Sequence, residues 1–219
     1  MTRPRSACGW LWALLLVCLP LLAWSLDFSI TDAVLQWGEK THGAASRERL
    51  QAWKALLETG QGQDEAAKLE SVNTFFNQLR FVDDAQHWKQ EDYWATPIEL
   101  LATGAGDCED FSIAKYFTLK AIGVDETKLR MTYVKALKLN QPHMVVTYFA
   151  TPEAAPLVLD NLDPVIKPAT ERADLAPVYS FNGSGLWMAR ERGQGKLAGD
   201  ASRLGLWQDL VKRLSAPPR

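Results

Sequence analysis

The sequence predicts an α+β domain, in which a helical N-terminal part is followed by an antiparallel sheet. Two observations carry this reading. Apolar residues recur at helical spacing from Ser46 to Leu79 and again from Cys108 to Ala121; past Leu129 the period changes to the alternation of strands.

Taken in order, residues 1–25 read as a secretory signal. Arg3 and Arg5 give a positive start, Trp10 to Leu22 an apolar run, and Ala23-Trp24-Ser25 a small-x-small cleavage pattern. The run is shorter than the ~20 residues that span a bilayer and contains Pro20, which favours cleavage over a retained anchor. Cys18 lies among apolar residues, which argues against lipidation there. One domain, residues 26–219, is expected to remain, periplasmic and without stable membrane insertion. The chain carries 24 basic and 26 acidic residues, net −2; loss of Arg3 and Arg5 leaves 22 against 26, net −4. With no basic tract, this argues against nucleic acid as a partner.

Residues 27–40 open with the alternating run Asp27-Phe28-Ser29-Ile30-Thr31, which fits either a strand or a docked arm. Ser46 is a candidate N-cap for a helix bearing Leu50, Trp53, Leu56 and Leu57, stopped by Gly60-Gln61-Gly62. A second helix spans about Asp64 to Leu79, with Asn73 and Asn77 as polar neighbours of its apolar stripe. Phe81 to Trp94 has no clean period and reads as a long ordered loop. Thr96-Pro97 starts a short helix, because proline suits the first helical turn, and Gly104 to Gly106 end it. Asp107 is a candidate N-cap for an apolar helix from Cys108 to about Ala121, with Gly123 at its C-terminal turn. Three strands follow: Leu129 to Val134, His143 to Phe149 after a turn at Asn140-Gln141-Pro142, and Leu157 to Asp160. The rest is loop-rich, with a turn at Asn182-Gly183-Ser184-Gly185 and a last helix from about Ser202 to Leu214.

Of three cysteines, two lie in the leader, so Cys108 stands alone in an oxidising compartment where structural cysteines normally pair. A helix N-terminus lowers a thiol pKa through its free N–H groups, and Cys108 is placed for that effect. Its own amide and the glycines before it suit an oxyanion site. A cysteine nucleophile wants an imidazole. Among His42, His87 and His143, the last begins a strand directly after Pro142, on rigid scaffold. Asp160 ends the following apolar strand and supplies the orienting carboxylate of a Cys–His–Asp set.

These residues resemble the bacterial transglutaminase-like cysteine proteinases, a branch of the papain-type enzymes. The resemblance rests on Thr96-Pro97-Ile98-Glu99-Leu100-Leu101, Gly104-Ala105-Gly106-Asp107-Cys108-Glu109-Asp110, Gln141-Pro142-His143 and Leu159-Asp160-Asn161. It implies a papain/transglutaminase-like core with the nucleophile at a helix N-terminus packed on an antiparallel sheet. It implies Cys108 as nucleophile, His143 as general base, Asp160 as orienting carboxylate, and a calcium ion held by Asp107 and Glu109, with Asp110 as a further ligand or a residue of the helix surface. The plain alternative makes Asp107 an N-cap and Glu109 and Asp110 first-turn acids. Trp94 is either an oxyanion donor, as a tryptophan is in related transglutaminases, or a packed aromatic. The implied activity is cleavage of the N-terminal region of a large surface adhesin between two alanines, releasing it and dispersing biofilm. The implied control is sequestration by an inner-membrane cyclic di-GMP receptor. A transglutaminase-type acyl transferase and a non-catalytic peptide-binding module remain rival readings.

Overall fold

The computed structural model describes residues 30–188 and 196–214; the expected signal at 1–25 lies outside them. Helix α1 (Asp32–His42) is capped by Thr31, whose Oγ1 accepts from the Val34 N–H at 3.4 Å. Most of the expected strand or arm, residues 27–29, lies outside the described residues; the helix after it presents Val34, Leu35 and Gly38 as one buried face against α2 (Ala44–Gly60). Gly38 is needed there: a Cβ would lie 2.7 Å from Leu50 Cδ1. Helix α2 begins two residues before Ser46, which is buried inside it rather than capping it. Helix α3 (Glu65–Phe76) is capped by Asp64, whose Oδ1 accepts from the Ala67 N–H at 2.8 Å.

The aperiodic segment after α3 contains strand β1 (Arg80–Phe81) and the one-turn helix α4 (Asp84–His87). Helix α5 (Pro97–Thr103) starts where Thr96-Pro97 predicts, with a reciprocal capping box between Thr96 and Glu99. Gly104 takes φ 73° at its end, a left-handed conformation that favours glycine. Strand β2 (Ala105–Gly106) pairs in parallel with β1 and delivers the chain into α6 (Cys108–Ala121).

Strands β3 (Leu129–Ala136), β4 (Gln141–Tyr148), β5 (Leu157–Leu159), β6 (Lys167–Pro168), β7 (Leu175–Asn182), β8 (Gly185–Met188) and β9 (Lys196–Gly199) form a sheet of order β6-β5-β4-β3-β7-β8-β9, antiparallel throughout. The turn expected at 140–142 falls earlier: Gln141 and Pro142 already pair with Ala136 and Lys135. The loop-rich stretch after Asp160 supplies β6 to β9, beyond the three strands expected. Helix α7 (Gly205–Leu214) closes the chain.

Helix α6 is buried along almost its whole length and packs on β4 and β3, with Ser112 Oγ donating to the Met144 carbonyl at 3.0 Å. The main core lies between the helices and one sheet face, where Trp53 Nε1–H donates to Thr118 Oγ1 at 2.9 Å and Phe117 stacks on Trp207. No helix among the described residues is long and apolar enough to cross a membrane.

Candidate active site

A cleft of about 730 Å³ lies where the start of α6 meets the start of β4, and Cys108, His143, Asp92, Asp107, Glu109 and Tyr133 help line it. The register that pairs His143 with Val134 on β3 fixes the imidazole on a central strand. Its Nε2 lies 2.7 Å from Asp160 Oδ1, with the two residues only 2% and 1% exposed. Asp160 follows β5 directly. Its Oδ1 also accepts the Leu162 N–H at 2.9 Å, its Oδ2 accepts from Arg172 Nη2 at 2.7 Å, and Asn77 Nδ2 donates to its carbonyl at 2.8 Å. Burial alone would raise the Asp160 pKa, but the His143 contact, the Leu162 amide and Arg172 outweigh it and bring the carboxylate down to about 2.

Cys108 is a free thiol at the first position of α6. Its Sγ donates to Glu109 Oε2 at 2.8 Å, and the Met144 N–H, next to His143, hydrogen-bonds the sulfur. The thiol pKa is pushed up, contrary to the lowering expected from the helix N-terminus. Burial is the first cause, followed by the Glu109 and Asp107 carboxylates, and the Met144 amide acts in the opposite sense.

The acidic residues crowd more closely than the sequence shows. Oxygens of Asp84, Asp92 and Glu109, and those of Asp84, Asp107 and Asp110, lie within 4.8 Å of one another. Asp84 and Asp92 come from the aperiodic segment and were not singled out in the sequence; their type in a polar loop was the only signal. Asp84 Oδ2 accepts the Tyr93 N–H at 2.5 Å, whereas Asp84 Oδ1 and Asp107 Oδ1 are buried without a hydrogen-bond partner. Burial and mutual repulsion raise the Asp84 pKa to about 6 and that of Asp107 to about 10.

Asp110 is fully buried and already heavily used. Its Oδ1 accepts the Ala95 N–H at 2.7 Å, and its Oδ2 accepts the Asp107 N–H at 3.3 Å and the Trp88 indole N–H at 3.4 Å. Asp107 sits at the N-cap position in extended backbone, with the bond running from its own amide to Asp110. Trp94 is buried and stacks on Phe181 at 5.7 Å between centroids, with its indole as a hydrogen-bond partner of Asp92 at the cleft.

A family model for the bacterial transglutaminase-like cysteine proteinases (BTLCP) matches residues 44–178, which include the cleft, Cys108, His143 and Asp160. The chain belongs to that family. Solved structures of Legionella pneumophila LapG agree with this proteinase in fold. The EGTA-treated form is 43% identical, covers 83% of this chain and 96% of its own, and gives a TM-score of 0.74. The calcium-bound form is likewise 43% identical, covers 83% and 97%, and gives 0.71. No curated protein matches the chain. Both the helical layer and the antiparallel sheet of this proteinase are thus shared with LapG, which has been solved in a calcium-bound form.

Proposed function

We propose that this proteinase is a periplasmic, calcium-dependent cysteine endopeptidase acting through Cys108, His143 and Asp160. The observation that carries the reading is the buried His143–Asp160 contact of 2.7 Å opening onto the same cleft as the free thiol. With Nε2 engaged by Asp160, Nδ1 is the ring nitrogen left to take the thiol proton. The thiolate attacks a peptide carbonyl; the imidazolium then protonates the leaving amine, and a thioester remains. Water, giving its proton to the same nitrogen, cleaves the thioester and frees the acid. Asp160 stays ionised throughout, holding the ring and stabilising its charged form.

The residues at the cleft fit a calcium ion. Oxygen-only donors, two buried carboxylate oxygens without partners, and mutual repulsion among Asp84, Asp107 and Glu109 are what a hard cation relieves. Asp84, Asp92, Asp107 and Glu109 would hold it, with Asp110 behind them and already committed to three N–H groups. Bound calcium would offset the negative charge that now raises the thiol pKa.

The substrate of this reading is the N-terminal region of a large surface adhesin, cut at a di-alanine site so that the adhesin is shed and biofilm disperses. The controlling partner is an inner-membrane cyclic di-GMP receptor that sequesters the enzyme. Family membership and the signal-like N-terminus support these assignments. In a cleavage assay on such a segment, Cys108→Ala should abolish cutting, chelator should do the same to the parent, and added calcium should restore the parent alone. Undiminished cutting by the variant removes the nucleophile; full activity in chelator removes the ion.

A further inference from the structure

The geometry points to Arg172 as a positioning residue for the reaction, a clamp that sets which oxygen of Asp160 faces His143. This rests on the Cys108–His143–Asp160 reading and adds a fourth member that the sequence did not single out.

Asp160 divides its two oxygens between different partners. Oδ1 receives His143 Nε2 at 2.7 Å and the Leu162 N–H at 2.9 Å, while Oδ2 receives, among the described residues, only Arg172 Nη2, at 2.7 Å. Without that donor, Oδ2 would be a bare anionic oxygen in a site 1% exposed, and rotation about Cβ–Cγ would exchange the two oxygens at His143. Arg172 is held from its other side. Nε and Nη2 grip Asp174 Oδ1 and Oδ2 at 3.0 and 2.9 Å, a two-point contact that fixes the plane of the guanidinium. Asp174 is anchored in turn, its carbonyl accepting the Leu137 N–H at 2.8 Å just before β7 begins. The clamp is therefore anchored on the β3–β7 side of the sheet.

Among the described residues, the charges around Asp160 are few. His143 faces it from β4, Arg172 and behind it Asp174 from the segment before β7, and Lys115 from α6; Asp163 lies farther along its own loop and within the field of Arg172. Removing Arg172 takes away the nearest fixed cation. Asp160 would then hold a proton more readily and support the imidazolium less, so the acid limb of kcat/KM should move to higher pH.

The test uses the calcium-loaded full-length mature chain with Arg172→Lys, Arg172→Met and Asp174→Asn, each checked for folding by near-ultraviolet circular dichroism. Arg172→Lys keeps the charge but loses the two-point grip. We expect kcat about 10–100-fold lower with KM within about twofold, as for other partners that orient a catalytic group. The acid limb should move little in Arg172→Lys and clearly upward in Arg172→Met. The histidine side-chain 15N–1H spectrum, assigned with His143→Gln, should show a bonded Nε2–H in the parent that weakens in both Arg172 variants. Folded variants with parental kcat, an unmoved acid limb and an unchanged His143 signal overturn the proposal. If Arg172→Met does not fold, Arg172→Lys and Asp174→Asn decide by the same criteria. A parent that shows no Cys108-dependent cleavage fails the protease reading instead; the His143 spectrum still reports on the clamp.

Discussion

Asp160 illustrates how one side chain can be both structural and chemical. Its folded pKa, about 2, lies below the ordinary 3.8, so the ionised form stabilises the fold. That stabilisation is complete above about pH 4 and is lost as pH falls through about 2; it amounts to on the order of 2 kcal/mol. Asp160→Asn should therefore be less stable than the parent at neutral pH, and its urea midpoint should fall less between pH 4 and 2. A parallel acid decline in both proteins would refute this linkage. At the same scale, Cys108 shows where local reading stops. Its position at a helix start is written in the run from Gly104 to Asp110, yet the direction of its pKa shift is decided by burial, Glu109 and Asp107.

At the scale of elements, the junction between β2 and α6 is tighter than any helix pattern conveys. A Cβ on Gly106 would come 2.4 Å from Asp110 Oδ2 and 2.8 Å from Leu100 Cδ1, so the strand can approach the helix only as glycine. Gly106→Ala should cost about 1–3 kcal/mol, seen as a lower urea midpoint, and should loosen the Asp110 grip on Ala95. An unchanged midpoint would mean that the junction can shift at little cost. Helix boundaries were legible here because caps are local: Thr96 with Pro97 and Glu99, Asp107, and Gly123 with its φ of 87° each act within a few residues. Strands β7 to β9 were not legible. β7 carries Pro177 and a register shift in its pairing with β3 near Tyr133/Val134, and β8 and β9 are only four residues each, so alternation has too little length to register.

Across the whole molecule, a buried polar string ties the helical layer to the loop carrying Asp160. Lys115 Nζ on α6 donates to Asn73 Oδ1 on α3 at 2.8 Å, and Asn73 Nδ2 donates to the Pro164 carbonyl at 2.8 Å. Burial lowers the Lys115 pKa to about 7, with the Asp160 charge acting in the opposite sense. The folded value lies below the ordinary 10.5, so the buried charge costs stability in full below pH 7, and the cost fades as pH rises toward 10.5. Relative to the parent, Lys115→Met should lose this upward contribution to stability between pH 7 and 10.5; identical slopes would show that Lys115 titrates like an exposed lysine.

By itself the sequence determined the order helix–Cys108, strand–His143, strand–Asp160, the family resemblance and the helix starts at Asp64, Thr96 and Asp107, because periodicity and capping act over a few neighbouring residues. Only the tertiary structure decided that Asp84 and Asp92 join the acidic cluster, that Trp94 turns to Phe181 and Asp92, and that Arg172 reaches Asp160. These depend on distance and burial among groups far apart in the chain, and Coulomb energy and desolvation respond to separation in space, which sequence spacing does not measure.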